Sequence, residues 1–464
     1  MNLSRLRKLK YALPLAVIVM AMTASATTAK PTAAGTPIKI AILSDCKGAF
    51  AAFYGADVGG AIQAFVEQTG AKVKNKKDPI KGMTDGTIAG HPVKLVGIGC
   101  ANDSADLAIS ETKRLMEKLK ADILIGPLSG DESIAVAKYA KAHPKKTFVN
   151  GTAGALDTTM LVRAPNFFRW NGDGAQWNAG TGWVAYNVLK WRKVDVIMDD
   201  YSFAWTSGAG FIAEFCALGG TISKRVFPPL NTTDYSSYVA QLDPPNAVDG
   251  YFWVVGGSGT LTSLKAFEQK FGQIKSSQMM GNLFFGTPGT FSELGLRLAG
   301  SYVGGGGTSG DVPSASLDKF KALTAKTWTA LPPLSGTAVA NGVGNLFFVN
   351  YYNNASALIK GLKAVKGDLS NGQKALQKVL ATTTVTDPNG YTLKLDSNRQ
   401  GIADTFVQQL YDNNGALAIK SLYKVVDVPQ TFGGVFSPTK PPPGETVPAC
   451  VKGAVPWKVT KVAA

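Results

Sequence analysis

Short apolar runs recur along the chain at a nearly regular interval. They begin near residues 92, 121, 146, 193, 221, 250 and 279, and most follow the previous run by 25 to 29 residues. That interval is about the length of one strand plus one helix, the βα unit. Several runs, such as GYFWVV, are apolar on both faces, as in parallel sheets that helices cover on each side. The pattern therefore predicts an α/β fold.

The segments between these runs carry the signals of helices. Residues 104–120 place Leu107, Leu115 and Leu119 on one predicted face, and Ser104 precedes them as an N-cap. Further on, the segment FIAEFCALGG ends in two glycines, which is typical of the end of a helix. Strands and helices are therefore expected to alternate.

The interval breaks at three places. The first gap runs from 146 to 193 and contains RAPNFFRWNGDGAQWNAG. The second is the glycine-rich VGGGGTSGDVP at 303–313, which two helical stretches follow, near 316–326 and 340–366. The third is TTTVTDPNGYTLKLDSNRQG, where DPNG suits a tight turn between short extended pieces. Each break is interpreted as a crossing from one sheet to another.

Two sheets joined by three crossings predict two lobes hinged about a cleft. In open α/β sheets, ligands bind beyond the carboxyl ends of the strands, so the cleft is the expected binding site. Beyond 428 the chain is rich in Pro and Gly and is expected to be an extended surface tail. The predicted boundaries are 37–168 plus 308–384 for lobe 1, 169–307 plus 385–427 for lobe 2, and 428–464 for the tail.

The N-terminus has the pattern of a secretion signal, predicted to cover residues 1–26. A basic RLRKLK precedes an apolar run of 11 residues and the small-residue site ASA. The run is shorter than the about 20 residues that span a bilayer, although an uncleaved anchor remains an alternative. Removal of this segment takes the formal charge from +16 to +12. We expect an exported protein, in the periplasm or on the extracellular face of the membrane.

Export places the four cysteines in an oxidising compartment. Four cysteines allow three pairings. Cys46 and Cys100 each end a predicted strand, and if those strands are neighbours their ends are close enough to bridge. Cys216 would then join Cys450 and attach the tail to a helix. The alternative, four separate buried thiols, is disfavoured by export.

Several function classes lack their usual residues. The densest lysine cluster, KVKNKKDPIK at 72–81, is interpreted as a solvated loop, and no basic stripe with aromatics favours nucleic acid. The two histidines, His91 and His143, each precede proline, and neither has metal-ligand spacing. VVGGSGT at 254–260 lacks the third glycine of a dinucleotide loop. We therefore predict binding without turnover, with no catalytic residue, no metal and no cofactor.

Two successive strands end in small, hydroxyl-bearing residues that lead into helices. These are ILIGPLSGDES after residue 122 and FVNGTAGA after residue 147. A helix N-terminus offers unpaired N–H donors and the positive end of a dipole, which together suit an anion. Glycine allows close approach of the backbone, and Ser or Thr adds a short donor. Ordinary N-caps and tight turns are the alternative interpretation.

The succession of motifs over residues 37–425 resembles the leucine/isoleucine/valine-binding protein family, the substrate-binding subunits of ABC importers. The motifs include FYGADVGGAIQAFVEQTG, DILIGPLSGDESIAVAKYA, VNGTAGA, FFRWNGDGAQ and VDVIMDDYSFAWTSGAGFIAEFCALGG. The resemblance implies a type I periplasmic-binding fold, with two doubly wound parallel-sheet lobes joined by three strands. It also implies a protein that closes over a small solute and delivers it to a membrane permease.

The same resemblance implies which residues hold the ligand. In this family, hydroxyls and backbone N–H groups at the two strand-to-helix turns bind the ligand's carboxylate. The matching positions are Ser129, Gly130, Thr152, Ala153 and Gly154.

The chain departs from the family at the other end of the ligand. Leu283, Phe284 and Phe285 stand where amino-acid binders offer an acid for the ammonium group, and Phe203 and Ser258 stand where tyrosines are frequent. Gly130 likewise replaces a frequent Ser. The carboxylate end is partly kept and the ammonium end is lost. The acids that could substitute are Asp131 and Glu132, otherwise expected on a helix's first turn, and Asp199 and Asp200, otherwise expected in a solvated loop.

Aromatic residues are the candidates for contact with an apolar ligand body. Tyr54 follows the first strand, at a junction that faces the cleft in the family, and is the leading candidate, whereas Trp253 lies inside a strand and is expected in the core. The aromatic candidates are Tyr54, Phe203, Trp205, Trp253, Phe284 and Phe285. The predicted ligand-binding set is Tyr54, Ser129, Gly130, Thr152, Ala153, Gly154, Phe203, Ser258 and Phe284.

These features together predict the exported solute-binding component of an ABC importer. It would act as a monomer with permease subunits and without nucleic acid, capturing a small carboxylate-bearing ligand by hinge closure. The ligand would be a branched-chain amino acid or an apolar or aromatic acid analogue. The alternatives are a ligand-sensing receptor of the same fold and an exported α/β enzyme.

Overall fold

The structure is a computed structural model of the 464-residue chain, and it describes residues 35–286, 290, 293–307, 309–329 and 346–462. The predicted leader, 1–26, and the first residues of the stretch near 340–366 lie outside this part. None of the described helices is both long enough and apolar enough to cross a bilayer.

The strands have these bounds: β1 Ile38–Ser44, β2 Gly86–Ile88, β3 His91–Cys100, β4 Ile123–Ile125, β5 Thr147–Val149, β6 Phe167–Phe168, β7 Lys193–Met198, β8 Thr221–Val226, β9 Gly250–Val254, β10 Met279–Gly281, β11 Tyr302–Gly304, β12 Val385–Thr386, β13 Thr392–Leu395, β14 Gly401–Asn413, β15 Ala416–Val428 and β16 Thr460–Lys461.

The α-helices among the described residues have these bounds: α1 Tyr54–Thr69, α2 Ala105–Lys113, α3 Gly130–Ala142, α4 Asp157–Met160, α5 Gly174–Trp177, α6 Thr181–Trp183, α7 Ser202–Ala217, α8 Ser236–Val239, α9 Gly259–Phe271, α10 Ala315–Thr327, α11 Leu346–Ala364 and α12 Lys374–Leu380.

The first sheet has the order β2-β3-β1-β4-β5-β6. Its strands pair in parallel except β2, which pairs antiparallel with β3. Alternate residues of β1 enter different clusters: Ile40 and Ile42 pack with α1 and α11, whereas Ala41 and Leu43 pack with α2 and α3. Because helices cover both faces, this central strand is apolar at almost every position.

The second sheet has the order β12-β13-β14-β11-β10-β9-β7-β8, with β15 pairing β14 and β16. The core strands β7 to β11 are parallel, and β14 joins β11 in antiparallel register. The predicted α/β fold of two lobes is therefore confirmed. Each sheet is mixed, because an antiparallel edge flanks its parallel core.

The three crossings lie side by side between the two sheets. Arg169, in the first, forms a parallel bridge with Gln400, in the third. Gly305, in the second, donates its N–H to the carbonyl of Phe406 at 2.9 Å, and Phe406 donates back to Gly306 at 3.0 Å. The chain therefore passes between its lobes through one narrow, hydrogen-bonded strip.

Arg169 is the buried centre of this strip, with 0% of its side chain exposed. Its guanidinium donates to the carbonyls of Ala153 and Ala155, to the hydroxyl of Thr159 and to the side chain of Gln400. Its NH2 lies 3.9 Å from Oδ2 of the equally buried Asp173. Burial lowers the pKa of Arg169 to about 10, which leaves it charged at neutral pH.

Two helical predictions need correction. Ser104 does cap α2, since its Oγ accepts the N–H of Leu107 at 3.3 Å. Of the three leucines predicted to share a buried face, however, only Leu115 is buried. Leu107 and Leu119 are 43% and 37% exposed. The helix packs on the sheet through the small residues Ala108 and Thr112. The spacing of the leucines therefore does not identify the face of the helix that contacts the sheet.

The C-terminal residues are not simply an extended surface tail. Phe432 and Phe436 are buried in a cluster with α4, α5 and α7, and Trp457 packs edge-on against Phe432. β16 adds to the second sheet beside β15. Two disulfides, Cys46–Cys100 and Cys216–Cys450, have Cα–Cα distances of 5.3 and 5.1 Å. The second holds this C-terminal segment against α7.

Candidate functional site

A narrow cavity lies where the two lobes meet, at the carboxyl ends of β1, β4 and β5. It encloses about 260 Å³ of space between atoms, of which about 20 Å³ is wide enough for the centre of a water molecule. That is room for about one water, so the side chains nearly fill the space between the lobes. Its lining residues are Phe50, Leu128, Ser129, Gly130, Thr152, Gly154, Trp177, Tyr201, Phe203, Leu283, Phe284 and Phe347.

The turn after β4 brings the N-terminus of α3 to this cavity. Ser129 is the N-cap and is 3% exposed, and its Oγ has no hydrogen-bond partner among the described residues. Its N–H donates to Oε2 of Glu132 at 3.3 Å. A buried, unpartnered hydroxyl at a helix N-terminus is a donor that an anionic group in the cavity can use.

The turn after β5 supplies a second hydroxyl. Oγ1 of Thr152 donates to the carbonyl of Phe347 at 3.3 Å, which is a long bond. Gly154 lies under the aromatic rings, because a Cβ there would stand 2.9 Å from Trp177 and 3.0 Å from Phe203. The two turns therefore present two hydroxyls and a helix N-terminus to one small space.

The opposite wall is aromatic and belongs mainly to the second lobe. Phe284 stacks on Phe50 with ring centroids 5.4 Å apart and meets Phe203 edge-on at 5.9 Å. Phe203 also contacts Trp177 at 5.7 Å. None of the lining residues is charged. The chemistry of this lining suits an apolar or aromatic body with one polar end, and such a body fits only when the lobes and the aromatic rings move apart.

Direct bonds between the lobes show that this arrangement is closed. Ser202 N–H donates to Oδ1 of Asp131 at 3.3 Å, and Ser258 N–H donates to the carbonyl of Ala49 at 3.2 Å. Gly130 fits against Ser202 so closely that a Cβ would stand 2.6 Å from its Oγ.

A group of carboxyls lies directly behind the lobe 1 wall. Side-chain oxygens of Asp45, Asp103 and Glu132 lie within 4.8 Å of one another, and the fully buried Asp57 accepts the hydroxyl of Ser44 at 2.5 Å. None of these four acids forms an ion pair with a Lys, Arg or His in the described part of the chain. We refer to these four residues as the acidic cluster.

Burial is the main cause of the unusual titration of the acidic cluster. It raises the pKa of Glu132 to about 8 and, together with the neighbouring Asp45, raises the pKa of Asp103 to about 8. It also raises the pKa values of Asp45 and Asp57 well above the usual range of aspartate. Divalent cations bind carboxylate oxygens of this type. At neutral pH, however, protons on these carboxyl groups already remove the negative charge that a cation would neutralise.

Six of the nine residues predicted to bind ligand lie around the cavity: Ser129, Gly130, Thr152, Gly154, Phe203 and Phe284. The other three do not line it. Tyr54 turns away and its hydroxyl reaches the carbonyl of Gly99 at 3.5 Å. Ala153 is fully buried, with its carbonyl accepting from Asn150 and Arg169. Ser258 is an exposed residue whose backbone bonds the other lobe.

The remaining candidates also have definite places. Trp253 and Phe285 are 0% exposed in the core of lobe 2, and Trp205 bonds Asp200 at the surface. Asp199 is not in a solvated loop, since it is 1% exposed and accepts the N–H of Gly256 at 2.7 Å.

Six lining residues lie outside the predicted ligand-binding set, although Leu283 was named as standing at the ammonium end: Phe50, Leu128, Trp177, Tyr201, Leu283 and Phe347. Phe50 and Leu128 each follow the carboxyl end of a strand in lobe 1 by a few residues, so a search of every strand end would have found them. Trp177 lies within the first crossing, and Phe347 lies in α11. Only the fold brings those two to the cleft.

The sequence matches the model of a family described as periplasmic binding protein over residues 37–416. None of the curated proteins compared with this sequence matches it.

Solved structures resemble this one at low sequence identity. An R. palustris ABC transporter solute-binding protein in complex with benzoate is 20% identical, with TM-score 0.66, over 83% of this chain and 96% of that chain. A Rhodopseudomonas palustris HaA2 protein in complex with p-hydroxybenzoic acid is 20% identical, with TM-score 0.69, over 85% and 98%. A leucine-binding protein from Thermotoga maritima is 19% identical, with TM-score 0.63, over 82% and 97%. The type I periplasmic-binding fold is thus confirmed.

Proposed function

Because the chain belongs to the periplasmic binding protein family, we propose that it is an exported solute-binding protein of an ABC importer. Its ligand is a small carboxylate with an apolar or aromatic body. The ligand enters the open cleft, the lobes close over it, and the closed protein presents it to permease subunits.

The observation that carries this proposal is the uncharged aromatic cavity at the lobe interface. Phe50, Phe203 and Phe284 can enclose a flat or branched apolar group. Ser129 and Thr152 stand beside the N-terminus of α3, where the dipole favours a negative group. The lining contains no His, Cys, Lys, Asp or Glu that could act as general base, which supports binding rather than turnover.

The cavity disfavours a free amino acid as ligand. An ammonium group in a water-poor cavity needs a carboxylate or several acceptors, and Leu283 and Phe284 occupy the corresponding wall. Two of the similar structures hold benzoate and p-hydroxybenzoic acid, which lack an ammonium group. Both observations support an acid without an α-amino group.

A thermal-shift screen of the purified protein tests this function. It would compare benzoate, hydroxybenzoates and branched aliphatic acids with leucine, with the matching amides and with sugars. A ligand at 100 times its dissociation constant adds about 2.7 kcal/mol to the free energy of unfolding, which is a clear shift. We expect the acids without an ammonium group to stabilise most. A set in which only leucine or sugars stabilise the protein would refute the proposed ligand class.

Loss of the Thr152 hydroxyl tests the carboxylate end. We expect Thr152→Ala to weaken binding of the best acid by about tenfold to a hundredfold, since a hydrogen bond to a charged group is worth about 1.5–3 kcal/mol. Thr152→Ser keeps the hydroxyl and should retain most of the affinity in isothermal titration calorimetry. Equal affinities of Thr152→Ala and the unaltered protein would remove this residue from the site.

The acidic cluster makes the affinity depend on pH. Below about pH 7 Asp103 and Glu132 hold their protons, and above their pKa of about 8 they ionise next to the bound carboxylate. We expect affinity for an acid to fall by about tenfold or more between about pH 6.5 and about pH 9, whereas affinity for the neutral amide should change little. Calorimetry across this range measures both. A flat profile for the acid would contradict the prediction.

The same groups affect stability. Their pKa in the folded state lies above the usual value in an unfolded chain. Their stabilising contribution is therefore complete below about pH 4 and is lost as the pH rises through about 8.

A further inference from the structure

A short loop of lobe 1 concentrates positive charge on the surface. Residues 72–81 contain five lysines and a single acid, Asp78. All five lysines are exposed, and among the described residues their only ion pair is a 3.9 Å contact between Lys81 and Asp78 at the surface. These lysines are Lys72, Lys74, Lys76, Lys77 and Lys81.

The backbone holds this loop in a fixed shape. Val73 and Met83 form an antiparallel bridge, and Lys74 N–H donates to the carbonyl of Gly82 at 3.0 Å. Pro79 is buried, and Oδ1 of Asp78 accepts the N–H of Ile80 at 3.1 Å. Because the scaffold is already ordered, docking through the lysines would cost little backbone entropy.

Helix α10 extends the charged area. Thr329 N–H donates to the carbonyl of Lys76 at 2.9 Å, and Nζ of Lys76 donates to the carbonyl of Lys326 at 3.1 Å. Lys326 is exposed at the end of this helix. Two segments far apart in the sequence thus form one positive surface, which we call the basic face: residues 72–81 with Lys326.

An apolar side chain stands within the basic face. Ile80 is 46% exposed between Lys77 and Lys81, and it is one of few large apolar side chains so exposed in the described residues. A soluble polyanion offers nothing to such a side chain, whereas a lipid surface places apolar chains just beneath anionic headgroups.

The basic face is at the opposite edge of lobe 1 from the cavity. The cavity turns follow the carboxyl ends of β4 and β5, whereas residues 72–81 follow the C-terminus of α1 and lead to β2. β2 pairs with the amino-terminal half of β3. Attachment through the basic face therefore leaves the cleft free to open and close.

We propose that the basic face docks on anionic phospholipid headgroups and keeps the protein at the membrane surface. Each lysine near such a surface gains electrostatic attraction that salt weakens, and Ile80 adds an apolar contact. The proposal rests on the exported location within the proposed function, but it does not depend on which ligand the cleft takes.

Vesicle co-sedimentation of the secreted, leader-processed protein tests the proposal. The arms are phosphatidylcholine vesicles, mixed phosphatidylglycerol–phosphatidylcholine vesicles, and soluble polyphosphate as a competitor without a lipid surface. We expect binding to the mixed vesicles alone, lost at high salt. A triple variant, Lys72→Gln with Lys74→Gln and Lys77→Gln, should bind at least about tenfold more weakly.

A charge-matched control separates the basic face from the net charge. Lys270→Gln with Lys275→Gln and Lys420→Gln removes three exposed lysines of lobe 2 and should bind like the unaltered protein. Ile80→Ser should weaken binding about threefold if the side chain enters the lipid layer. Equal losses in both triple variants, or binding to polyphosphate with none to vesicles, would overturn the proposal. Ligand-induced thermal shifts do not depend on binding to vesicles or polyphosphate. A negative result in the vesicle experiment would therefore leave the proposed transport function unaffected.

Discussion

Replacement of Gly130 by valine is expected to abolish most ligand capture while leaving both lobes folded. Gly130 begins α3 in lobe 1, and a Cβ there would stand 2.6 Å from Oγ of Ser202 and 2.9 Å from the backbone nitrogen of Phe203, both in lobe 2. Real Cβ atoms do not approach other atoms so closely, so the lobes would have to separate. The clash exists only in the closed state.

The size of this effect follows from the two-state nature of closure. Overpacking of a tight contact costs about 1–3 kcal/mol, and here the whole cost falls on the closed conformation that holds the ligand. We expect affinity for the best ligand of the thermal-shift screen to fall about a hundredfold. Small-angle scattering should show that saturating ligand no longer compacts the protein.

A second glycine provides a matched control. Gly55 lies in the first turn of α1, and a Cβ there would meet nothing within 4 Å. Gly55→Val places the same β-branched side chain in a helix without touching the lobe interface, so ligand affinity should be kept. If Gly130→Val binds as tightly as Gly55→Val, the contact between α3 and the second lobe is not needed for capture.

Replacement of Arg169 by methionine is expected to give the largest loss of stability. The guanidinium bonds two carbonyls and two side chains in the crossing strip, and its removal leaves Asp173 buried without a cation. Breaking one side of a buried pair typically costs about 3–5 kcal/mol. Urea unfolding monitored by tryptophan fluorescence should show the midpoint fall steeply.

Two further variants show whether the loss of stability comes from removal of the buried cation. Arg163→Met removes an exposed arginine from the same segment and should change the midpoint little. Asp173→Asn added to Arg169→Met removes the unpaired carboxylate and should recover part of the loss. A midpoint of Arg169→Met equal to that of Arg163→Met would show that the strip does not depend on this ion.

The order of strands and helices was predictable because its signals are local. GYFWVV is apolar on both faces and KVDVIM carries Val194, Val196 and Met198 on one face, and they are the adjacent parallel strands β9 and β7. The antiparallel edges were not predicted: β2 is only three residues long and forms a tight hairpin with β3, and β14 pairs with β11, about 100 residues away in sequence. The face of α2 was missed for a related reason: contact depends on which helix side meets the sheet, and there Ala108 fits more closely than Leu107.

The candidate site likewise has parts that local sequence patterns predicted and parts that they could not predict. Its two turns were visible because Gly, Ser and Thr after a buried strand form a local pattern, and Ser129 and Thr152 do line the cavity. Tyr54 was predicted to face the cleft, but its hydroxyl reaches the carbonyl of Gly99, and Phe50 lines the cavity instead. Phe347 is almost 300 residues from Phe50 in the sequence, and only the tertiary fold brings these two side chains to the same cavity.

The bond between Cys216 and Cys450 has a consequence for resistance to proteolysis. It joins two cysteines 234 positions apart and so closes a covalent ring that includes β8 to β15 and two of the three crossings. A protease that cuts one exposed turn within this ring opens it without releasing a fragment, because the cut ends remain tethered through the sulfur atoms. A singly nicked molecule would keep its full mass on a non-reducing gel and separate into two pieces only after reduction.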